Sequence, residues 1–451
     1  MESLASGSTL KFSEVRRDLT TQEAVEEANR CLYCYDAPCT KACPTGIPVP
    51  SFIKKIASGN LKGSARVILE ANPMGATCSR VCPTEELCEG ACVLNELSLP
   101  IMIGDLQRHA TNWAMQADQP LFQKGSPNGM RVAVIGSGPA GLSAARELAR
   151  FGYGVTVYEA KEKAGGLDTY GIVPFRLPQE IPLWEAEQVR KLGVDMITNT
   201  TIGEDIAAEE ILSGYDAVVL AAGMAGVPFL GIPGEDYNGV YDAIELIEDI
   251  KESRITDHFS GKRAVVIGAG NTAIDAAACL KRLGAADVKI IYRRTEMEMT
   301  AYKSEYAFAK QDGIEFRWLA QPKEIIGNLY GNVSKLICDR VELGDMDESG
   351  KRRITVVENA QFEIEADVIV RAIGQKRRRE LIDAFGLAHE RGVVKVDPNT
   401  YQTSNEKVYA AGDVIFGTGK TDAMVVSAAE QGKQTAYAIH RQLLHPLLKE
   451  V

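Results

Sequence analysis

The sequence predicts an α/β protein behind an all-α N-terminal segment, and three observations predict it. Eight of the ten cysteines fall between Cys31 and Cys92, in a stretch with no strand pattern. From Met130 a short apolar strand, a glycine-rich turn, a helix and a second strand follow one another. The same order recurs from Ala264, so two dinucleotide-binding folds of the Rossmann type are expected in one chain.

Each element has a local reason. Thr20-Thr21-Gln22-Glu23 has the capping-box pattern, which starts a helix running toward the first cysteines. Short helices are expected around Ser51–Ile56 and Leu61–Glu70, the latter stopped by Asn72-Pro73 because a residue before proline avoids helical dihedrals. No strand pattern precedes residue 130. The stretch Ala117–Gly129, with Pro120, Gly125, Pro127 and Gly129, reads as a linker. Met130–Gly136 and Gly154–Glu159 are the strands of the first unit. Ala264–Gly268, a helix through Lys281 and Val288–Tyr292 form the second.

A length of 451 residues suggests about three domains. A formal net charge of -11 argues against nucleic acid or an anionic membrane surface as the main partner. The basic run Lys376-Arg377-Arg378-Arg379 is expected to be a solvated loop. No basic start followed by an apolar stretch opens the chain, so no secretory signal is read and a cytoplasmic protein is expected. The most apolar stretch, Ala217–Gly234, is broken by glycines and prolines, and reads as a buried strand plus loop rather than a membrane span.

In a reducing compartment clustered cysteines point to metal before disulfides. The first group is Cys31-x2-Cys34-x4-Cys39-x3-Cys43-Pro44. The second is Cys78-x3-Cys82-Pro83 followed by Cys88-x3-Cys92. An iron–sulfur cage needs several thiolates converging from a turn, and a fourth cysteine before proline commonly serves the other cluster of a pair. This spacing gives Cys31, Cys34 and Cys39 to one cage and sends Cys43 across. A zinc site or a disulfide framework is the alternative, but a zinc ribbon shows two CxxC pairs and only one is present.

Gly136-Ser-Gly138-Pro-Ala140-Gly141 follows a strand and opens a helix, where backbone amides face a pyrophosphate. Glu159 ends the next strand and is placed to accept hydrogen bonds from a ribose. Ala410-Ala-Gly412-Asp413 supplies a second piece of an FAD site, although Gly412-Asp413 alone is also an ordinary turn. In the second loop, Gly268-Ala-Gly270-Asn271-Thr272-Ala273, the following strand ends in Tyr292-Arg293-Arg294 rather than an acid. Arginine pairs with a 2′-phosphate, which favours NADP(H); if both arginines are merely surface residues, NAD(H) is used. Hydride transfer between nicotinamide and flavin needs no side-chain acid or base, so no catalytic residue is assigned. Cys279 and Cys338 lie outside any CxxC pair and read as buried thiols.

These residues resemble a known family. Cys31 to Gln107, with A-P-C-T-K-A-C-P, V-C-P-T-E-E-L-C and I-G-D-L-Q, is similar to the N-terminal half of dihydropyrimidine dehydrogenase. It is similar above all to the separate flavin subunit of the bacterial enzyme, and the glutamate synthase small subunit is alike in the same places. The match continues through Gly165-Gly166-Leu167 and Phe175-Arg176-Leu177-Pro178 to A-A-G-D and E-Q-G-K-Q, nearly the whole chain.

The resemblance implies a helical domain (1–125) binding two 4Fe–4S clusters. It also implies an FAD domain (126–238 and 374–451) with an NAD(P)H domain (239–373) inserted in it. One cluster would take Cys31, Cys34, Cys39 and Cys92. The other would take Cys43, Cys82 and Cys88, with Gln107 as an unusual fourth ligand in place of Cys78. Gly166, Leu167 and Arg176 would contact FAD, and Gly374 joins the cofactor-binding set. Arg293 and Arg294 match the basic pair that holds the 2′-phosphate in NADPH-using members, whereas Thr300 stands near the place of a further arginine.

The implied function is electron input. Hydride would pass from NAD(P)H to FAD, and electrons through the clusters to an FMN-containing partner that reduces uracil or thymine, since no residues after Asp413 suffice for such a barrel. A glutamate synthase large subunit is the rival partner. Two further readings are a free-standing NAD(P)H:acceptor reductase, such as a ferredoxin reductase, and a zinc-and-nucleotide-binding scaffold.

Overall fold

The computed structural model describes residues 12–347, 350–417 and 423–444. It divides into two compact units. One contains Tyr170–Phe175 and Ala225–Lys376; the other contains Glu14–Thr169, Arg176–Met224 and the chain from Arg377.

In the second of these the cysteine-rich segment holds helices and connecting loops, with no strand among its described residues. Thr20 caps the helix Thr21–Asn29 with both halves of the capping box formed. Val49–Ala57, Leu61–Ala71, Gly75–Val81 and Ile103–Ala117 follow. Phe52, Ile53, Ile56, Ile68, Ile103 and Leu106 come from three of these helices and bury one small core. The apolar side chains recur at the three- and four-residue spacing that gives each helix one buried face.

The same unit holds a five-stranded parallel sheet ordered Val408–Ala410, Ala217–Leu220, Arg131–Ile135, Gly154–Tyr158 and Asp195–Ile197. Arg131–Ile135 and Gly154–Tyr158 are exposed only at their first residue, because a parallel sheet covered on both faces needs continuous apolar runs. The expected linker is fastened rather than loose. Phe122 lies under the guanidinium groups of Arg146 and Arg150, 4.4 and 5.0 Å from its ring centre, a cation–π arrangement.

The other unit carries its own parallel sheet ordered Val240–Asp242, Val368–Arg371, Arg263–Ile267, Asp287–Tyr292 and Glu315–Trp318. A three-stranded antiparallel sheet of Ala320–Gly327, Val333–Met346 and Arg352–Glu365 adjoins it in sequence. The helix Asn271–Arg282 buries Ala273 to Leu280 without a break, so its small side chains let it lie close on the sheet. The fold is therefore an α/β arrangement of two Rossmann-like sheets behind an all-α segment. No described helix is long and apolar enough to cross a membrane.

Candidate functional site: glycine loops and a thiol-lined helical segment

The first loop is built by three different glycine requirements. Gly136 has φ +100°, and a Cβ there would stand 2.5 Å from the Ala221 carbonyl oxygen, so only glycine fits the turn. Gly138 has open space where a side chain would project. Gly141 brings the helix onto the strand so closely that a Cβ would collide with the Gly136 oxygen. Gly138 caps the helix Pro139–Arg150 without any side-chain acceptor, which leaves the first-turn amides to an incoming anion.

Glu159, Gly166 and Gly412, all expected at an FAD site, gather round this loop. Glu159 is buried; its Oε2 accepts from Ser137 N at 3.0 Å and from Ser137 Oγ at 2.5 Å. A Cβ on Gly166 would touch Gly138 Cα at 2.8 Å, and one on Gly412 would touch Ala140 Cβ at 3.0 Å. Gly412 N donates to Gln431 Oε1 at 2.8 Å. Burial raises the Asp413 carboxyl above its ordinary value, opposed by Arg377. Leu167 begins the short helix Leu167–Tyr170, and Arg176 is half-buried. The loop, its neighbouring acid and the Gly412 turn thus form one cradle in which a dinucleotide pyrophosphate fits.

The basic run is the expected loop, with Lys376, Arg378 and Arg379 exposed, and only Arg377 is drawn in. Arg377 donates to the carbonyl oxygens of Asp413 at 2.9 Å and Phe416 at 2.7 Å. Arg378 donates to the Ala222 oxygen at 2.9 Å. Main-chain carbonyls are fixed acceptors, so Arg377 braces the turn beside Gly412 and Arg378 the chain after the strand Ala217–Leu220.

The second loop repeats the design. A Cβ on Gly268 would collide with the Ala372 oxygen. Gly270 caps the following helix, again with no side-chain acceptor. Asn271 Oδ1 accepts from Tyr302 N at 3.1 Å, and Thr300 Oγ1 lies 3.3 Å from where a Gly270 Cβ would be. Segment 300–302 thus lies over the loop, and Thr272 is half-buried beside it. Arg293 is exposed just past the strand Asp287–Tyr292, and Arg294 Nη2 reaches the Arg352 oxygen at 3.5 Å. Gly374 follows the strand Val368–Arg371 with open space about it.

Cys31, Cys34, Cys39 and Cys92 line a single cavity together with Pro38, Val49, Ile53 and Ile101. Burial pushes the Cys31 thiol up, and that of Cys39 up to about 11. Thiols that resist ionisation become good ligands only when a cationic centre stabilises the thiolates. Cys88 is likewise pushed up by burial, then by Glu89, Cys82 and Cys43, which places Cys43, Cys82 and Cys88 together.

Gln107 is buried, and its Nε2 donates to the Gly75 oxygen at 2.7 Å. With the nitrogen so engaged, Oε1 is the end left for a metal. Glu89 Oε1 accepts from Gly104 N at 2.9 Å and holds the loop bearing Cys88 and Cys92 on the Gln107 helix. Cys78 is buried against Cys82. No three His, Cys, Asp or Glu among the described residues stand close enough to share one metal ion. None of the ten cysteines is in a disulfide. Cys279 and Cys338 are buried in the other unit, and burial pushes Cys338 up to about 12.

Three charged residues fasten the thiol segment to the first sheet's helices; Lys433 lies in the E-Q-G-K-Q motif, whereas Arg146 and Glu185 carry no motif that would single them out in the sequence. Lys433 Nζ pairs with Glu430 at 2.8 Å and donates to the Ala71 oxygen. Arg146 donates to the Leu69 oxygen at the end of the helix Leu61–Ala71, where a cation suits the helix dipole. Glu185 accepts from Ala76 N at 2.8 Å and Thr77 N at 3.1 Å, at the start of the helix bearing Cys78. One weaker signal exists. Glu185 shares its helix face with Ile181 and Val189 at four-residue spacing, and an acid on an apolar face is unusual.

Residues 8–119 match the family described as dihydropyrimidine dehydrogenase domain II, 4Fe-4S cluster. Residues 130–432 match the pyridine nucleotide–disulphide oxidoreductase family. The NAD-dependent dihydropyrimidine dehydrogenase subunit PreT of Escherichia coli is 34% identical over 96% of this chain and 97% of its own. The glutamate synthase [NADPH] small chain of the same organism is 33% identical over 95% of this chain and 93% of its own. The NADP(+)-dependent formate dehydrogenase subunit beta of Moorella thermoacetica is 33% identical over 90% of this chain, which spans 60% of that protein's length. Mycobacterium tuberculosis FprA in complex with NADPH shares the fold, with a TM-score of 0.58 at 21% identity over 71% of this chain and 86% of that one. The chain belongs to the pyridine nucleotide–disulphide oxidoreductase family and is an NAD(P)H-dependent flavin and iron–sulfur oxidoreductase.

Proposed function

We propose that this member of the family is the electron-input subunit of an NAD(P)H-dependent dihydropyrimidine dehydrogenase. Its partner is an FMN-containing subunit that reduces uracil or thymine to the 5,6-dihydro forms. Residues 1–125 hold two 4Fe–4S clusters, residues 126–238 and 374–451 hold FAD, and residues 239–373 bind NAD(P)H. Cys31, Cys34, Cys39 and Cys92 ligate one cluster; Cys43, Cys82, Cys88 and Gln107 ligate the other. When bound, the flavin accepts hydride and the clusters carry single electrons. The protein's own contribution is placement. The Gly136 loop and Glu159 hold the dinucleotide, Arg377 braces the Gly412 turn, and Glu185, Arg146 and Lys433 fix the thiol helices against the same sheet.

One observation carries the choice of a protein acceptor. The thiol-lined cavity counts Leu32 and Val93, exposed by 60 and 37%, among its lining residues, and the exposed Tyr35, Leu97 and Leu99 follow Cys34 and Cys92 closely in the chain. Exposed apolar side chains grouped in this way mark an interaction surface. The charges beside them are paired, Arg30 with Glu27 at 2.7 Å and Lys41 with Asp36 at 2.7 Å. A partner buries this rim without stranding a charge.

The likeness to PreT over nearly both whole chains supports a pyrimidine-reducing partner. The equal likeness to the glutamate synthase small chain makes that enzyme's large subunit the second reading. Anaerobic copurification with identification of the bound protein tests the proposal. An FMN-containing pyrimidine reductase is expected; a glutamate synthase large subunit would establish the rival.

A further inference from the structure

We propose that the Thr45 hydroxyl donates a hydrogen bond to the sulfur of Cys43, and that this contact raises the reduction potential of the cluster Cys43 ligates. The inference rests on the assignment of Cys43 as a ligand and not on which substrate the partner reduces.

A tight turn builds the contact. Gly46 N donates to Cys43 O at 2.9 Å, which closes Cys43-Pro44-Thr45-Gly46 on itself. Proline in second place and glycine in fourth favour such a turn, and Gly46 leaves it with φ +64°. The third residue is folded back beside the first, so Thr45 Oγ1 stands 3.3 Å from Cys43 Sγ. Thr45 is 6% exposed, so little water competes for the hydroxyl. Its carbonyl oxygen is held as well. Lys433 Nζ reaches that oxygen at 3.5 Å, donates to the Ala71 oxygen and pairs with Glu430 at 2.8 Å. An ammonium has three protons, and each has a direction here. Lys433 lies two residues after Gln431, whose Oε1 accepts from Gly412 N at 2.8 Å. The Cys43 turn is therefore fixed by the same helix, Val425–Leu444, that steadies the Gly412 turn.

Two directions are open to a hydroxyl–sulfur contact, and ligation leaves one. A free Cys43 thiol has a proton of its own to give. As a cluster ligand it is a thiolate, so the hydrogen comes from Thr45. A hydroxyl that served only the turn would accept from a backbone amide. Among the described residues Thr45 Oγ1 meets no such amide, and the Cys43 sulfur is its partner. A hydrogen bond to a ligating sulfur draws off negative charge, so it favours the reduced, more negative state of the cluster. Lys433 adds little field of its own because Glu430 offsets its charge; its part is to hold Thr45. Among the described residues no other expected thiol ligand has a side-chain hydroxyl at its sulfur, so the contact shifts one cluster relative to the other.

The test is an anaerobic redox titration of the holoprotein followed by electron paramagnetic resonance, with iron and sulfide assayed in parallel. Thr45→Val keeps the shape and removes the hydroxyl, and should retain wild-type iron and sulfide. It should lower the midpoint of one cluster by about tenfold in the reduction equilibrium, or about 59 mV for one electron, and leave the other unmoved. Thr45→Ser keeps the donor and should stay nearer the wild type. Thr45→Ala removes the hydroxyl without the second methyl group and should reproduce the fall, so the comparison stands even where Thr45→Val packs badly. Unchanged midpoints in Thr45→Val and Thr45→Ala, a Thr45→Ser midpoint as low as theirs, or loss of about four irons in both variants overturns the proposal. Cys43→Ala checks the assignment beneath it and should lose about four irons. Full iron in Cys43→Ala removes Cys43 from the ligands and this proposal with it, whereas unchanged midpoints in the Thr45 variants overturn the proposal alone.

Discussion

Glu185 Oε2 accepts a 2.5 Å hydrogen bond from Thr77 Oγ1. The pair joins the helix Glu180–Arg190, which packs on the first sheet's layer, to the helix that carries Cys78 toward Cys82. The carboxylate also takes the backbone amides of Ala76 and Thr77. It therefore supplies an acceptor for helix-end donors that no residue of their own segment satisfies.

This placement has a stability consequence. Burial pushes the Glu185 carboxyl up to about 7, against the pull of its three donors. The folded form thus binds its proton more tightly than the unfolded chain does. Above pH 7 the buried charge is a net cost, and below the unfolded value of about 4.5 that cost is absent. Stability relative to Glu185→Gln should therefore fall by about 3 kcal/mol as pH rises from 4.5 to 7. Thermal unfolding of both proteins at pH 5 and pH 8 checks this; a gap independent of pH rules it out.

Much of the fold is legible in the sequence because it depends on local pattern. The apolar run Val132–Ile135 and the turn at Gly136 specify a strand and a loop without reference to anything distant. The capping box at Thr20 forms as its pattern predicts. The cysteine groups are legible as a metal-binding segment, but spacing alone cannot tell a ligand from its neighbour. Cys78 and Cys82 sit one turn apart, and only burial and partners distinguish them. Glu185, Arg146 and Lys433 are not legible as ties because their partners are main-chain atoms from residue 69 to 77, far away in sequence. Arg377 is deceptive for the same reason: within a run whose other three members are exposed, it alone is drawn in, by carbonyls far away in sequence.

Cofactor content is the most direct check of the two cradles. Protein purified without oxygen should be brown and hold one FAD with about eight irons and about eight sulfides per chain, the content of two 4Fe–4S clusters. Stoichiometric zinc without sulfide would sink the assignment.

Ligand identity in the second cluster separates Cys78 from Gln107. Cys78→Ala should keep about eight irons, whereas Gln107→Ala should alter the spectrum or the iron content of one cluster. Gln107→Glu offers an oxygen at the same place and should restore the iron more fully than alanine. Loss of about four irons in Cys78→Ala with Gln107→Ala unchanged would falsify the assignment.

Dinucleotide choice turns on the two arginines past Tyr292. Arg293 is exposed and Arg294 makes one long main-chain contact, so both guanidinium groups have donors to offer a 2′-phosphate. Replacing both with glutamine should weaken NADPH use more than NADH use, by about 1–3 kcal/mol of charge-assisted bonding. Steady-state kcat/KM for the two dinucleotides measures this difference. A wild type that already prefers NADH by a wide margin removes the 2′-phosphate role.

The partner prediction follows from what clusters are for. A flavin that hands hydride to a small acceptor at its own face has no use for iron–sulfur centres. They become necessary when electrons leave singly for a distant site. Exposed Leu32 lines the cavity of Cys31, Cys34, Cys39 and Cys92, and exposed Tyr35, Leu97 and Leu99 follow Cys34 and Cys92 closely in the chain, so such electrons would cross to another protein here. The chain alone should therefore reduce artificial dyes with NAD(P)H and leave uracil and thymine untouched. Adding the FMN-containing partner should start NAD(P)H-dependent pyrimidine reduction. Replacing Leu97 and Leu99 with aspartate should weaken that coupled reaction at least tenfold and spare the dye reaction. Removing two buried leucines' worth of apolar contact costs more than the roughly 1.4 kcal/mol that tenfold represents. Stripping the clusters should likewise abolish pyrimidine reduction while NAD(P)H still reduces a dye that accepts electrons at the flavin. Uracil reduction by the isolated chain, or an undiminished coupled reaction in the aspartate variant, would show that electrons leave by another route.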